Sequence, residues 1–455
     1  MIDGAKLSKN GIDPQRVTVV SEYDGSTGGR FVLYWMQAGV RSSSNAALEY
    51  AVMVANELKL PLAVCFVLTG GYPGARFRHY HFLAQGLKDV HAALLHRGIK
   101  FIIRVGNPPL EILELSKDAV FVVTDCGYLK LQRQWRQQVY NGLKCPAVEV
   151  EDNVVVPVEA ASDKAEYGAR TIRPKITRNL ERFMVPVKTV KLANTAAALK
   201  LGGIDISRLG SEVEALGSEY VCGSAGFAGG EIAAQKKLHD FLKNKLPHYD
   251  KRNDPVADVT SQLSPYLHFG MISPVDIALK ARAAGGCDEF LEQLIVRREL
   301  AINFVYYNPD YTNYDSAIPQ WAKNTLEEHC SDKRQYLYSQ SELENAATHD
   351  PAWNAAQRQM VDDGYMAGYM RMYWGKKVIE WSKSPQDAFQ TLIYLNDKYE
   401  LDGRDPNGYC GIAWCFGRHD RPWARRQIFG TIRYMNYAGL KRKFDVEAYC
   451  REHSK

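Results

Sequence analysis

The chain has 455 residues, enough for two or three domains at roughly 100–200 residues each. Hydrophobic residues account for 46% of it and charged residues for 24%, values that are typical of globular proteins and exclude a disordered chain. Its net charge of +5 permits a polyanionic partner without requiring one.

The sequence contains no signal for export or for membrane insertion. No apolar run reaches the roughly 20 residues of a membrane-spanning helix, and the N-terminus lacks the apolar core of a signal peptide. The nine cysteines are an odd number without a CxxC pair, which argues against a disulfide framework and a thiolate zinc site. We therefore predict an intracellular protein with no membrane partner and no metal site.

Short apolar runs alternate with amphipathic segments in the first part of the chain. The runs are rich in β-branched and aromatic residues and indicate buried strands: FVLYW (31–35), LAVCFVL (62–68), KFIIRV (100–105), AVFVVT (119–124) and AVEVE (147–151). This alternation predicts a doubly wound parallel, Rossmann-like α/β domain over residues 29–184, after an N-terminal extension over 1–28. No GxGxxG or Walker A motif is present, so an NAD or ATP site is not supported.

The second part of the chain has a different pattern. Residues 185–225 accumulate Ala, Gly, Lys and Ser, which indicates an interdomain linker. Strand signals then nearly vanish, and helical segments follow one another at 231–246, 288–307 and 364–382. We predict an all-helical domain over residues 226–455.

Two features of the helical part indicate function. Trp374 and Trp381 are seven positions apart, so they share a helix face at a spacing of about 10 Å, with Arg371 one turn earlier. Such a stripe is either core packing or a path for an electron. The second feature is a stretch with one acid and many bases, which is either a solvated face or a phosphate-binding surface: Arg418, Arg421, Arg425, Arg426, Arg433, Lys441, Arg442 and Lys443.

Several long blocks resemble the class II cyclobutane pyrimidine dimer photolyases of the photolyase/cryptochrome family. They are SQLSPYLHFGMIS (261–273), THDPAWNAAQ (348–357), YMRMYWGKKVIEW (369–381), LNDKYELDGRDPNGYCGIAW (395–414) and, in the first domain, VLYWMQAGVRSSSNAALEY and EYGARTIRPK. The resemblance implies a lyase that binds FAD in the helical domain and uses blue light to split pyrimidine dimers in double-stranded DNA. It also implies a monomer.

The resemblance assigns the flavin site residue by residue. Arg371 and Asp402 would lie against the flavin ring, and Asn396 would face its N5, able to donate or accept a hydrogen bond. A structural ion pair is the alternative for Arg371 and Asp402. The other implied cofactor residues are Tyr249, Arg252, Ser261, Gln262, Leu263, Ser264 and Met372. The spacing of Tyr249 from Arg252 is one residue shorter than expected, which weakens its assignment.

The same resemblance assigns electron transfer and DNA binding. Trp374, Trp353 and Trp381 would relay the electron that reduces FAD, with Trp374 nearest the flavin and Trp381 nearest the surface. A dimer that stacks poorly is readily flipped out of the duplex. Trp414 would be its platform, and Arg421 and Trp423 would fill the gap left in the DNA. The remaining implied DNA or lesion contacts are Asn253, Gln293, Arg297, Met372 and Arg433.

One position departs from the family. Where the family has a glutamate that bonds the dimer, this chain has Gln293, whose amide donates a hydrogen bond but cannot pass on a proton. Slower repair is therefore one expectation, and a cryptochrome-like photoreceptor without repair activity is the leading alternative. An ordinary flavin oxidoreductase is a third. The sequence does not decide whether a second, antenna chromophore of the deazaflavin or folate type binds, or whether the compartment is cytoplasm, nucleus or organelle.

Overall fold

The computed structural model of the protein describes residues 1–23, 28–217 and 226–454. Its N-terminal part contains one six-stranded sheet with the order β1-β6-β5-β2-β3-β4. All neighbouring strands are parallel except β1, which pairs antiparallel with β6. The strands are β1 (Val17–Ser21), β2 (Phe31–Trp35), β3 (Leu62–Leu68), β4 (Lys100–Val105), β5 (Ala119–Asp125) and β6 (Ala147–Val150).

Helices cover both faces of this sheet. Strands β2 and β3 are buried at every position, which is why they appear in the sequence as continuous apolar runs. On one face α2 (Ala46–Leu58) and α3 (Phe77–His96) pack in a core that continues into the helical part. On the other face lie α4 (Pro108–Ser116) and α5 (Lys130–Gly142). The structure therefore confirms the predicted fold class, a parallel α/β domain joined to an all-helical one.

The segment predicted as an N-terminal extension is part of the α/β domain. It forms α1 (Gly4–Lys9) and the edge strand β1, so a boundary at residue 28 separates β1 from its own sheet. Buried Arg16 secures this segment by donating hydrogen bonds to the backbone oxygens of Val154, Val155 and Phe183. The prediction missed β1 because its residues are only partly buried and show no continuous apolar run.

The segment after the sheet crosses the surface of the α/β domain. It contains α6 (Val158–Ala161), α7 (Ala169–Thr177), α8 (Leu180–Phe183) and α9 (Leu209–Leu216), the last packed against α3. Backbone hydrogen bonds from Ala196 to Gly98 and from Ile204 to Ile103 hold it against the edge of the sheet. The last residues of the predicted linker, 218–225, lie outside the described residues.

The rest of the described chain is helical. Its helices are α10 (Glu231–Asp240), α11 (Ser264–His268), α12 (Pro274–Ala283), α13 (Asp288–Leu291), α14 (Arg298–Tyr307), α15 (Tyr314–Ala317), α16 (Gln320–Glu328), α17 (Gln340–Glu344), α18 (Pro351–Asp363), α19 (Gly368–Trp381), α20 (Pro385–Tyr399), α21 (Pro406–Cys415), α22 (Tyr437–Lys441) and α23 (Val446–Glu452). A π-helical turn, Glu292–Arg297, joins α13 to α14. No helix within the described residues combines the length and the apolar character needed to cross a membrane.

A buried arginine joins the two parts. Arg78 of α3 is 1% exposed and donates hydrogen bonds to the backbone oxygens of Met360 in α18 and Tyr399 at the end of α20. Tyr399 is the last residue of its helix, where carbonyls lack an intrahelical partner, so this guanidinium satisfies its oxygen. The Met360 oxygen also accepts from the backbone N–H of Gly364, which caps α18. Helices α18 to α21, which pack on one another in sequence, are thereby held against the α/β domain.

Candidate active site

A cleft of about 420 Å³ lies among α19, α20 and α21. This volume falls within the range of about 300–1,000 Å³ that is typical of ligand sites. Many of the residues assigned from the sequence line it: Ser264, Gln293, Arg371, Met372, Trp374, Asn396 and Asp402. The structure therefore brings together residues that are up to 138 positions apart in the chain, from Ser264 to Asp402.

Glycines leave room in the wall of this cleft for a flat ring. Gly368, Gly375, Gly408 and Gly411 all line it. A Cβ atom added to Gly368 would meet nothing within 4 Å, and one added to Gly411 would meet only the Met372 methyl at 3.9 Å. Side chains at Gly368 and Gly411 would project into the open space. The wall therefore fits a planar aromatic group such as the flavin that the sequence resemblance implies.

One cation and two carboxylates form the charged side of the cleft. Arg371 donates to Glu400 at 2.9 Å, and its Nη1 lies 3.0 Å from Asp402 Oδ1. Burial raises the pKa of Glu400 to about 8, although Arg371 opposes this rise. The structure thus places Arg371 with Asp402, as the sequence indicates, and adds Glu400. Sequence reasoning missed Glu400, whose only signal is its position two residues before Asp402.

The three tryptophans assigned to electron transfer are in contact. The rings of Trp353 and Trp374 stack with centroids 6.5 Å apart, and Trp353 meets Trp381 edge-on at 5.7 Å. Trp353 Nε1 donates to the backbone oxygen of Trp374, and Trp374 Nε1 donates to Gln357 Oε1. Trp374 lines the cleft, so the contacts lead from the cleft through Trp353 to Trp381.

Trp381, which the resemblance places nearest the surface of the three, is covered by other aromatic side chains. It is only 2% exposed, because Tyr338 and His349 pack edge-on against its ring at 5.5 and 5.2 Å. His349 stacks in turn on Tyr336, which is 38% exposed. Tyr336 and Tyr338 come from the loop before α17 and His349 from the loop after it, and helical spacing within α19 gives no information about either loop.

Five of the residues assigned to the cofactor do not line the cleft: Tyr249, Arg252, Ser261, Gln262 and Leu263. Tyr249 packs against Phe241 and Phe290 and is 7% exposed, as expected of a core residue. Gln262 has a positive φ of 51° and bonds to Lys237 and Asp258. Their roles toward a cofactor therefore remain predictions.

A surface of alternating aromatic and basic side chains borders the same helices. We call it the Trp–Arg surface; it comprises Trp414, Arg433, Trp423 and Arg421. The Arg433 guanidinium lies 5.4 Å from the ring of Trp414 and 5.0 Å from that of Trp423, and Arg421 lies 5.4 Å from Trp423. Trp423 is 41% exposed. The structure thus brings these four residues together, and this arrangement suits unstacked bases and phosphates.

A contact between the two domains holds the loop that carries Arg421. His419 has a φ of 61°, and its ring nitrogen Nδ1 is 2.7 Å from the backbone oxygen of Tyr167. The hydroxyl of Tyr167 donates to the backbone oxygen of Asp420. Burial lowers the pKa of His419 to about 4, so its ring is neutral at physiological pH and Nδ1 donates. Neither Tyr167 nor His419 was assigned a role from the sequence.

The departure at Gln293 is located inside the cleft. Gln293 lines it, whereas Glu292 turns away to Arg173 and Arg297. Glu299 accepts hydrogen bonds from the backbone of the α/β domain, and burial raises its pKa to about 8. Neither glutamate replaces the missing carboxylate. Asn253 and Arg297 lie outside the residues that line the cleft.

A second cleft of about 120 Å³ lies at the carboxyl ends of β2 and β3. Aromatic side chains dominate its wall, including Trp35, Tyr72 and Trp135, and it also contacts Arg404. Strand order reverses next to β2, and ligands of open α/β sheets bind at such switch points. Among the described residues no acceptor reaches the buried Nη2 atom of Arg404.

Comparisons with known proteins agree with this geometry. Residues 32–193 match the family model described as DNA photolyase. The chain is 49% identical to a deoxyribodipyrimidine photo-lyase of Methanothermobacter thermautotrophicus, with 96% of this chain and 98% of that protein covered. It is 41% identical to the deoxyribodipyrimidine photo-lyase of Potorous tridactylus, with 92% and 80% covered.

Solved structures share the fold at low sequence identity. A class III photolyase from Agrobacterium tumefaciens superposes with a TM-score of 0.72 at 19% identity, covering 95% of this chain and 88% of that one. A cryptochrome from Synechocystis superposes with a TM-score of 0.73 at 16% identity, covering 93% and 88%. The long relatives and the shared fold together lead to one conclusion: the chain belongs to the photolyase/cryptochrome family.

Proposed function

We propose that this protein is a class II photolyase that uses blue light to split cyclobutane pyrimidine dimers in double-stranded DNA. The observation that carries this proposal is the adjacency of two unlike sites on the same helices. A cleft with Arg371 and Trp374 fits a flavin, and Trp414 presents a base platform on α21, which also lines that cleft. A protein that only senses light needs no such platform.

FAD is the cofactor, and when bound in its reduced, light-excited form it supplies the electron that splits the dimer. Arg371, with Glu400 and Asp402, holds charge at the ring. Gly368 and Gly411 leave space for the ring plane. Ser264, at the start of α11, offers its hydroxyl to the cofactor.

Trp374, Trp353 and Trp381 return an electron to the cleft under light. Their rings are in contact and almost dry, so little solvent reorganisation opposes charge movement along them. This activity prepares the cofactor and is separate from dimer splitting. The two activities are therefore separable by mutation.

The Trp–Arg surface binds the DNA. Trp414 stacks on the flipped dimer, while Arg421 and Trp423 enter the gap in the duplex. Arg433 stabilises both indoles and neutralises phosphate. Gln293 donates a hydrogen bond to a dimer carbonyl from inside the cleft.

The second cleft is the place we propose for an antenna chromophore of the deazaflavin or folate type. Its aromatic wall and its position at the strand switch point support this proposal. Its volume is below the usual range of about 300–1,000 Å³, so binding requires Tyr72 or Trp135 to turn outward. Binding of a deazaflavin that leaves the fluorescence of Trp135 unchanged would contradict this location.

The decisive experiment uses purified, reduced protein and an oligonucleotide with one thymine dimer. Blue light should restore thymine absorbance with FAD-loaded protein. The recovery should be absent in the dark and smaller with Trp414→Ala protein at limiting concentration. A colourless protein that cannot be reconstituted with FAD would refute the proposal. Dark turnover with a hydride donor and no photochemistry would instead indicate an oxidoreductase.

Gln293 keeps one alternative open, a cryptochrome-like photoreceptor. Photoreduction of FAD without recovery of thymine would support it. The variant Gln293→Glu restores a carboxyl group in the cleft and so tests whether its absence is the cause of the missing repair. Repair that is absent in the wild type and present in the variant would show that this position separates the two functions.

A further inference from the structure

Behind Asn396 lies a buried carboxylate that the flavin-site assignment does not use. Asn396 lines the cleft, and the next residue of α20, Asp397, is 8% exposed. Asn396 Nδ2 donates a hydrogen bond to Asp397 Oδ1 at 2.9 Å. Among the described residues no donor reaches Asn396 Oδ1. The amide therefore has one end engaged and its oxygen available.

Every other partner of the Asp397 side chain is also a donor. Its Oδ1 accepts from the backbone N–H of Arg404 at 2.9 Å, and its Oδ2 accepts from the Tyr409 hydroxyl at 2.8 Å. Burial raises the pKa of Asp397, and the Arg404 guanidinium and these donors oppose that rise. A carboxylate in this setting acts only as an acceptor.

The carboxylate fixes the direction of the amide. If the Asn396 amide turned over, its oxygen would face the oxygen of Asp397 at hydrogen-bond distance, with no proton between them. Both would lose a hydrogen bond in a buried place, which is costly. Gly408 packs close to this amide, since a Cβ atom added there would lie 3.0 Å from Asn396 Nδ2.

We infer that Asp397 is a positioning residue that holds the Asn396 carbonyl oxygen toward the flavin cleft, so that the site favours a flavin with hydrogen on the facing nitrogen. The inference rests on the proposed flavin site. An acceptor stabilises an N–H group and repels a bare nitrogen lone pair. Reduced flavin carries hydrogen at N5, and oxidised flavin does not. Asn396 then favours the protonated N5 of reduced flavin over the bare N5 of oxidised flavin.

The test measures redox balance and does not depend on repair. Asp397→Asn keeps the shape but offers an N–H group that can bond Asn396 Oδ1 and turn the amide. At equilibrium with a reference dye, the ratio of reduced to oxidised FAD should fall by about tenfold, the effect of one hydrogen bond. Tyr409→Phe is the matched control, because it removes a donor from Asp397 and leaves the carboxylate beside Asn396. Its ratio should stay near that of the wild type.

A double-mutant cycle separates positioning from general damage. In an Asn396→Ala background, Asp397→Asn should shift the ratio no further, since its effect passes through Asn396. An equal shift in both backgrounds, or no shift in either, would overturn the inference. If the wild type binds FAD but repairs no dimer, the proposed function fails while this cycle still decides the role of Asp397.

A second measurement needs no variant of Asp397. Infrared difference spectra of protein with ¹³C-labelled asparagine should show a carbonyl band that moves to lower frequency when FAD is reduced. The same band should be missing in Asn396→Ala. A band that stays in place on reduction would overturn the inference even if Asp397→Asn does not fold.

Discussion

The protein uses tryptophan in two contrasting environments. Trp353 and Trp374 are buried neutral rings that stack on each other and are hydrogen-bonded through their indole N–H groups. Trp414 and Trp423 share the cation of Arg433, and a lysine, Lys376, lies 5.2 Å from Trp414. Within the described part of the chain no cation lies over the rings of the first pair, whereas cations lie over both rings of the second.

This difference shows how tryptophan can serve both electron transfer and base stacking in one protein. Removing an electron from an indole leaves a positive ring, and a nearby cation opposes that step. The surface rings are therefore poor electron donors but good platforms beside phosphate. Trp381 is intermediate: Lys377 lies 5.6 Å from its ring, but that charge is paired with Glu380 at 2.7 Å.

Trp374→Phe should show the largest effect. Removing the ring nearest the cleft should nearly abolish photoreduction of FAD, measured by absorbance under blue light, because the path loses its first donor. Repair by chemically reduced enzyme should persist. Trp423→Phe is the matched control and should photoreduce normally. Equal loss of both activities in Trp374→Phe would break the division between the two tryptophan groups.

Trp414→Ala should weaken binding to dimer-containing DNA by roughly 1–3 kcal/mol, the usual worth of a base–aromatic stack. Fluorescence anisotropy at fixed salt measures the affinity. FAD content and photoreduction should stay unchanged, because Trp414 belongs to the other group. Trp414→Phe keeps a ring and should lose less. Unchanged affinity in the alanine variant would exclude Trp414 as the platform.

His419 should make the protein sensitive to acid. Its folded pKa of about 4 lies below the ordinary 6.5, so the unfolded chain takes up a proton first as pH falls. The neutral ring therefore contributes its full stabilisation above about pH 6.5, and this contribution is lost as the pH falls toward 4. At about pH 5 the free energy of unfolding should be lower by roughly 2 kcal/mol. His419→Asn keeps a donor and tolerates the positive φ without titrating. Urea unfolding of both proteins at two pH values measures the difference, and parallel pH profiles would contradict this role.

Arg433→Gln should have the smallest effect of the four. Losing its cation–π contacts and a phosphate contact should weaken DNA binding by about 1 kcal/mol for damaged and undamaged duplexes alike. The slope of log affinity against log salt should fall by about one. Arg208→Gln, on the exposed 3-10 turn before α9, is a control of the same charge change. A loss confined to damaged DNA would show that Arg433 reads the lesion.

Much of this arrangement follows from the sequence, and the rest depends on contacts that spacing cannot reveal. Apolar runs identified β2 to β6, because strands buried on both faces leave a continuous signal. The edge strand β1 leaves none. Helical spacing placed Trp374 and Trp381 on one face, but the covering of Trp381 by Tyr338 comes from a distant loop.

The site shows the same limit. Family blocks identified Arg371 and Asp402, while Glu400 and Asp397 were missed because burial and partners, not residue type, give them their roles. The contact of His419 with Tyr167 joins positions 252 residues apart and has no local signal at all. The other domain boundaries and the roles of Tyr249 and Arg252 stay predictions.

The placement of Arg78 has a consequence for how the molecule denatures. Pulling the α/β half from the helical half would break the hydrogen bonds of this guanidinium and expose the shared apolar core to water at the same time. Partial melting is therefore unfavourable, and heat should unfold both halves in one calorimetric transition. The variant Arg78→Met removes the guanidinium that donates these hydrogen bonds, and two separate transitions should then appear.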